Sequence, residues 1–173
     1  MNNKQFKKKI KEIRRRVREI LPDGVPIEAA CLYHAIAARM ILGEECKIVA
    51  GSSSWKFTNF DNGRNPTHFT YEYTNSLNFP ESSMPEIHIW NEYKGKVLDL
   101  STRYLPDQIE NFLGYTFEEN LIPPLFHHGE KEGGSGQWLY KEIKEATNLA
   151  NRMVQDAMIG IIAKNSNCII KFV

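Results

Sequence analysis

This sequence predicts an α+β fold: a central cysteine-bearing helix packed on an antiparallel β-sheet, with further helices flanking it towards both ends of the chain. Three observations carry that expectation. Residues 26–42 are alanine-rich and mostly apolar, with Cys31 early in the stretch, which reads as a buried helix. Two β-prone runs, 87–93 and 96–101, are separated by Lys94-Gly95, which reads as a hairpin. Apolar residues recur at helical spacing over 6–20 and again over 138–163.

At 173 residues, 42% hydrophobic and 25% charged, the chain is long and apolar enough for one domain spanning 1–173, with its core at about 26–102. The net charge of +1 hides an asymmetry. Residues 1–20 hold nine Lys or Arg against two Glu, a balance of +7, so the remainder carries −6. Such a segment invites a nucleic-acid or anionic-membrane reading. Only Phe6 interrupts the charges with an aromatic ring, so a solvated helix face is expected and nucleic-acid binding ranks last. Three scattered cysteines without a CxxC form neither a disulfide framework nor a zinc ligand set. No metal and no organic cofactor are expected. No apolar run approaches the length of a membrane span, and no apolar segment of signal-peptide type follows the basic start. A cytoplasmic location is the expectation.

The elements follow in order. Phe6, Ile10, Ile13, Val17 and Ile20 make a narrow apolar stripe on a first helix, ended by Leu21-Pro22-Asp23-Gly24. Val25 to Leu42 is the central helix, with Pro26 in its first turn and Gly43 beyond its end. Cys46 to Ala50, closed by Gly51, is the first strand. Residues 52–85 read as a long polar insertion in which His68 to Tyr73 alternates like a strand. The hairpin at 87–101 comes next, then a short helix over Pro106 to Leu113 and an irregular stretch from Tyr115 to Gly136. Trp138 to Ala163 is read as a long helix, and Cys168 to Val173 as a final strand.

Candidate chemistry centres on Cys31, His88 and Asp99. A helix N-terminus carries partial positive charge and unpaired N–H groups, which favour thiolate and can stabilise an oxyanion. A histidine takes the thiol proton, and a carboxylate fixes the ring's tautomer. His88 and Asp99 fall on one face of the hairpin if its loop has two or four residues, or if a bulge corrects a three-residue loop. Trp90, two residues after His88, is a candidate wall of the site and a substrate-binding residue. Cys46 and Cys168 read as core residues. His34 reads as a satisfied core or surface histidine, and His68, His127 and His128 carry weaker signals. Trp55 and Trp138 are given no chemical role.

Taken together, Cys31 at a helix start, Val49-Ala50-Gly51, His88-Ile89-Trp90 and Lys94-Gly95-Lys96-Val97-Leu98-Asp99 resemble the transglutaminase-like, papain-related cysteine enzymes. The resemblance spans roughly 26–102. It implies a papain-like fold and a thiol-dependent acyl transfer through a thioester, acting on a peptide or protein amide. Hydrolysis, deamidation and transamidation are all found among such enzymes. The alternative is a catalytically silent domain of the same fold that binds a peptide or protein.

Overall fold

The computed structural model describes residues 3–27, 30–56, 68–71, 87–105, 127–132 and 138–170, with the backbone alone for 56, 68–71, 127–128 and 163–170. The fold is α+β. Helix α1 is Asn3–Ile20 and helix α2 is Cys31–Leu42. Strands β1 (Cys46–Lys56), β2 (His68–Tyr71), β3 (His88–Tyr93) and β4 (Lys96–Asp99) follow. A 3₁₀ turn covers Ser101–Tyr104, then come β5 (His127–Gly129), β6 (Trp138–Glu142) and helix α3 (Lys144–Ile170).

All strand pairings among these residues are antiparallel. β1 is the hub of the sheet. Its first half, Cys46 to Gly51, pairs with β3, and its second half pairs with both β2 and β6. β4 joins the other edge of β3, and β5 joins β4. The β3–β4 loop has two residues, Lys94 and Gly95, with φ of 53° and 74°. Both positive values match a type I′ turn, whose twist suits a tight hairpin.

The sheet separates two sets of side chains. On one face Cys46, Ile48, Ala50, Ile89, Tyr93 and Leu98 pack against the helices. There the α1 stripe is buried at Ile10, Ile13, Val17 and Ile20, so the basic helix lies on the domain as expected. Its cations pair within the helix, as in Arg15–Glu19 and Lys9–Glu12. Asn91 anchors α2 to the sheet: its buried Nδ2 donates to the carbonyls of Ala35 (3.2 Å) and Lys47 (3.3 Å). The other face gathers Val49, Trp55, Trp90, Val97, Leu105 and Tyr140.

Four sequence expectations are corrected. α2 starts at Cys31, not near Val25: ahead of it the Val25 N–H bonds to Pro22 and the Ala30 N–H to Ile27, i→i+3 contacts rather than α-helical ones. β1 continues to Lys56, where a strand ending at Ala50 was expected. Ser52 to Ser54 pair with β6, and tertiary pairing overrides their loop-like composition. Residues 138–142 are a strand, because Trp138 and Tyr140 alternate towards Trp55; Leu139, inside the helix expected over 138–163, is 43% exposed. Finally, α3 runs through Cys168 to Ile170, where a strand was expected. The stretch 115–136 contains β5, while the helix expected at 106–113 and most of the 57–86 segment fall outside the described residues.

β6 passes very close to β1. A Cβ on Gly51 would meet the carbonyl oxygen of Lys141 at 2.2 Å and the amide of Ile143 at 2.8 Å, both backbone atoms. Ile143 N–H also donates to Ala50 O at 3.0 Å, locking that approach. Gly51→Ala is therefore expected to destabilise the protein by about 1–3 kcal/mol, the usual range for overpacking. Urea unfolding measures this, and a midpoint equal to wild type would contradict the close approach.

Candidate active site

The two-residue hairpin loop sets the register that sequence left open. Asn91 pairs with Leu98 and Glu92 with Val97, which puts Trp90 opposite Asp99 and His88 on the adjacent diagonal. His88 Nε2 and Asp99 Oδ2 are 2.7 Å apart, both side chains buried. Cys31 is the first residue of α2, close enough to His88 to help raise the ring's pKa. The structure thus brings all three expected residues together. Ala30, at the N-cap, makes no side-chain hydrogen bond to the first-turn N–H groups.

Asp99 is held from four directions. Oδ2 accepts from His88 and from the Tyr140 hydroxyl at 2.9 Å. Oδ1 accepts from the Ser101 N–H at 3.0 Å and the Ser101 hydroxyl at 2.7 Å. Thr102 Oγ1 donates to the Asp99 carbonyl at 3.2 Å. The carboxylate therefore has the histidine expected of it and local hydroxyl and backbone donors at once. Burial by itself pushes the Asp99 carboxyl up, but His88, Ser101 and Tyr140 more than offset it, and its pKa lies below the usual carboxylate value.

His88 shows the converse balance. Burial favours the neutral ring, yet Asp99 and then Cys31 outweigh it and raise the pKa to about 10. Three aromatic rings enclose the imidazole. Trp55 meets it edge-on at 5.1 Å and 89°, Trp90 stacks at 6.0 Å and 20°, and Tyr140 lies at 6.3 Å. Trp90 is 1% exposed, so it backs the ring and presents no surface to a substrate.

Sequence reasoning missed Trp55 and Tyr140. Trp55 was given no chemical role, but its indole N–H donates to the Tyr140 hydroxyl at 3.0 Å. Both lie in segments misread above, the end of β1 and the strand β6. One β-prone aromatic run, Trp138-Leu139-Tyr140, was the available signal. Trp138 stays apart and donates to the Glu130 carbonyl at 3.4 Å. Cys46 is fully buried, and burial pushes its thiol up to about 12, partly countered by Arg39. The side chains of Cys168, His68, His127 and His128 lie outside the described set.

His34 is neither a satisfied core residue nor a surface one. It is buried against Tyr104, ring centroids 5.4 Å apart, and neither ring nitrogen makes a hydrogen bond. Burial lowers its pKa to about 4, with Asp99 and the Ile27 backbone opposing this and Arg14 adding to it. The Ile27 influence is electrostatic, without good hydrogen-bond geometry.

A groove of about 600 Å³ lies elsewhere, lined among others by Arg39, Lys47, Glu92, Glu142 and Asn151, and includes none of the three site residues. Among the described residues no group of three or more His, Cys, Asp or Glu could hold a metal ion, and no helix is long and apolar enough to cross a membrane. No protein-family model, no curated protein and no solved structure matches this chain.

The two buried histidines bend the stability–pH curve in opposite senses. His34 has a folded pKa below its unfolded value of 6.5, so stability is complete above that value and falls as pH drops from 6.5 towards 4. The loss amounts to about 3 kcal/mol. His88 has a raised folded pKa, so its contribution is complete below 6.5 and disappears as pH rises towards about 10. Chemical unfolding between pH 4 and 10 is expected to give a maximum near neutrality, and His34→Phe is expected to flatten the acid limb. An unchanged acid limb in that variant would remove His34 from the account.

Proposed function

We propose that Cys31, His88 and Asp99 form the active site of a thiol-dependent acyl-transfer enzyme of transglutaminase-like, papain-related type, acting on an amide of a peptide or protein. The observation that carries the reading is the buried 2.7 Å contact between His88 Nε2 and Asp99 Oδ2, with Cys31 on the same ring and at the first position of α2. The α+β fold with an antiparallel sheet is compatible with that type.

The chemistry follows from the arrangement. With Nε2 committed to Asp99, Nδ1 is the nitrogen that takes the thiol proton. The sulfur attacks the amide carbonyl, and the negative charge on oxygen develops at the N-terminus of α2, where backbone N–H groups and the macrodipole stabilise it. His88, now imidazolium and stabilised by Asp99, returns its proton to the leaving amine as the carbon–nitrogen bond breaks. The thioester that remains is attacked by water or by a second amine, with His88 again as base, and the thiol is regenerated. The acceptor decides between hydrolysis and transamidation. A base held at a pKa of about 10 retains the thiol proton firmly. The aromatic rings around it keep out water that would compete for both charges.

Iodoacetamide labelling tests the reading without a known substrate. Cys31 is expected to be alkylated at least roughly tenfold faster than Cys46 near neutral pH, since Cys46 is buried and its thiol pKa is raised. His88→Ala and Asp99→Asn are expected to change the pH profile of Cys31 labelling while the fold persists. Mass-spectrometric mapping provides the rates. Identical profiles in wild type and both folded variants would replace the enzyme by a silent, peptide-binding domain.

A further inference from the structure

The geometry points to Tyr140 and Trp55 as positioning residues that hold the Asp99–His88 pair in a single protonation pattern. This rests on the reading of Cys31, His88 and Asp99 as an acyl-transfer site, and it extends that site to strand β6 and to the end of β1.

The argument is one of donors and acceptors. An indole N–H only donates, so in the 3.0 Å contact between Trp55 Nε1 and the Tyr140 hydroxyl the oxygen of Tyr140 is the acceptor. A phenol has one proton. With its oxygen accepting from Trp55, that proton is directed to Asp99 Oδ2, 2.9 Å away. Ser101 delivers its N–H and its hydroxyl proton to Oδ1. Three donors thus converge on Asp99 before His88 is counted. A carboxylate so occupied is ionised and acts as an acceptor only, so the proton in the 2.7 Å contact belongs to His88 Nε2. The tautomer that leaves Nδ1 for Cys31 is therefore dictated from Trp55, through Tyr140 and Asp99, to His88.

The fold makes the relay rigid. Tyr140 pairs with Ser53 and Trp138 with Trp55, so the β1–β6 ladder sets the spacing of the two aromatic side chains. Their rings meet at 5.8 Å and 82°, and both are buried. Burial and the neighbouring Asp99 push the Tyr140 phenol well above its ordinary value, so it remains a donor throughout the range in which the thiol works. Pure packing would be served equally by phenylalanine at either position. The hydrogen-bond chain would not.

The test compares wild type, Tyr140→Phe and Trp55→Phe, with His88→Ala as reference. Two readouts are taken: the NMR titration of His88 and the pH profile of Cys31 alkylation by iodoacetamide. Without the phenol proton, the Asp99 charge is concentrated on His88. The His88 titration in Tyr140→Phe is then expected to move up by about one pH unit, with the alkaline inflection of alkylation following it. Trp55→Phe is expected to shift both in the same direction by less, because it weakens Tyr140 as a donor without removing it. Titrations of both variants that coincide with wild type would reduce the two residues to packing and overturn the inference. Should Tyr140→Phe fail to fold, Trp55→Phe decides alone. If instead His88→Ala leaves the Cys31 profile untouched, the acyl-transfer reading fails separately, and the NMR shift still reports whether the relay exists.

Discussion

One buried negative charge organises this molecule. The Asp99 carboxylate is 1% exposed, and an isolated ionised carboxylate in such a place would cost far more than a small domain's whole stability margin. It is tolerable because donors reach it from the strand next door, from the 3₁₀ turn that follows it and from β6. Breaking a buried pair of this kind typically costs about 3–5 kcal/mol, since the remaining charge is left uncompensated. The tight hairpin turn, the register of β3 on β4 and the approach of β6 to Gly51 all serve the same few ångströms.

The hairpin was readable because its signals are local. Lys94-Gly95 specifies a turn by backbone conformation alone, and period-two alternation places His88 and Asp99 on one face. Cys31 was readable for a similar reason, as a polarisable side chain early in an apolar helical pattern. The start of α2 was not, because apolar residues before Cys31 continue the pattern while the backbone takes tighter turns. The C-terminal side of the site was hidden by non-local pairing. Nothing within residues 138–142 says that their partners lie at 51–55, and a stripe shared by Leu139 and Ile143 imitates a helix. Trp55 follows three serines that look like a loop until β6 is beside them.

His34 shows a different limit. Its position three residues after Cys31 is visible in sequence, but its lack of any hydrogen bond is a property of packing. A buried ring without hydrogen bonds is held neutral by its surroundings, one helical turn from Cys31. The two histidines thus occupy contrasting environments: the one beside a carboxylate is stabilised as a cation, and the one against Tyr104 is not.

Order of synthesis gives the β1–β6 ladder another meaning. Cys31 leaves the ribosome long before Tyr140, and with it before the strand that completes the network around Asp99. Until residues 138–142 have docked on β1, the carboxylate lacks one of its donors, and the imidazole lacks part of its aromatic enclosure. An incomplete chain therefore carries Cys31 in an unfinished setting, and the Asp99–His88 surroundings are completed only when β6 closes on β1. On the proposed acyl-transfer reading, a growing polypeptide is surrounded by amides, including its own, and late assembly of the site would separate making the protein from using it.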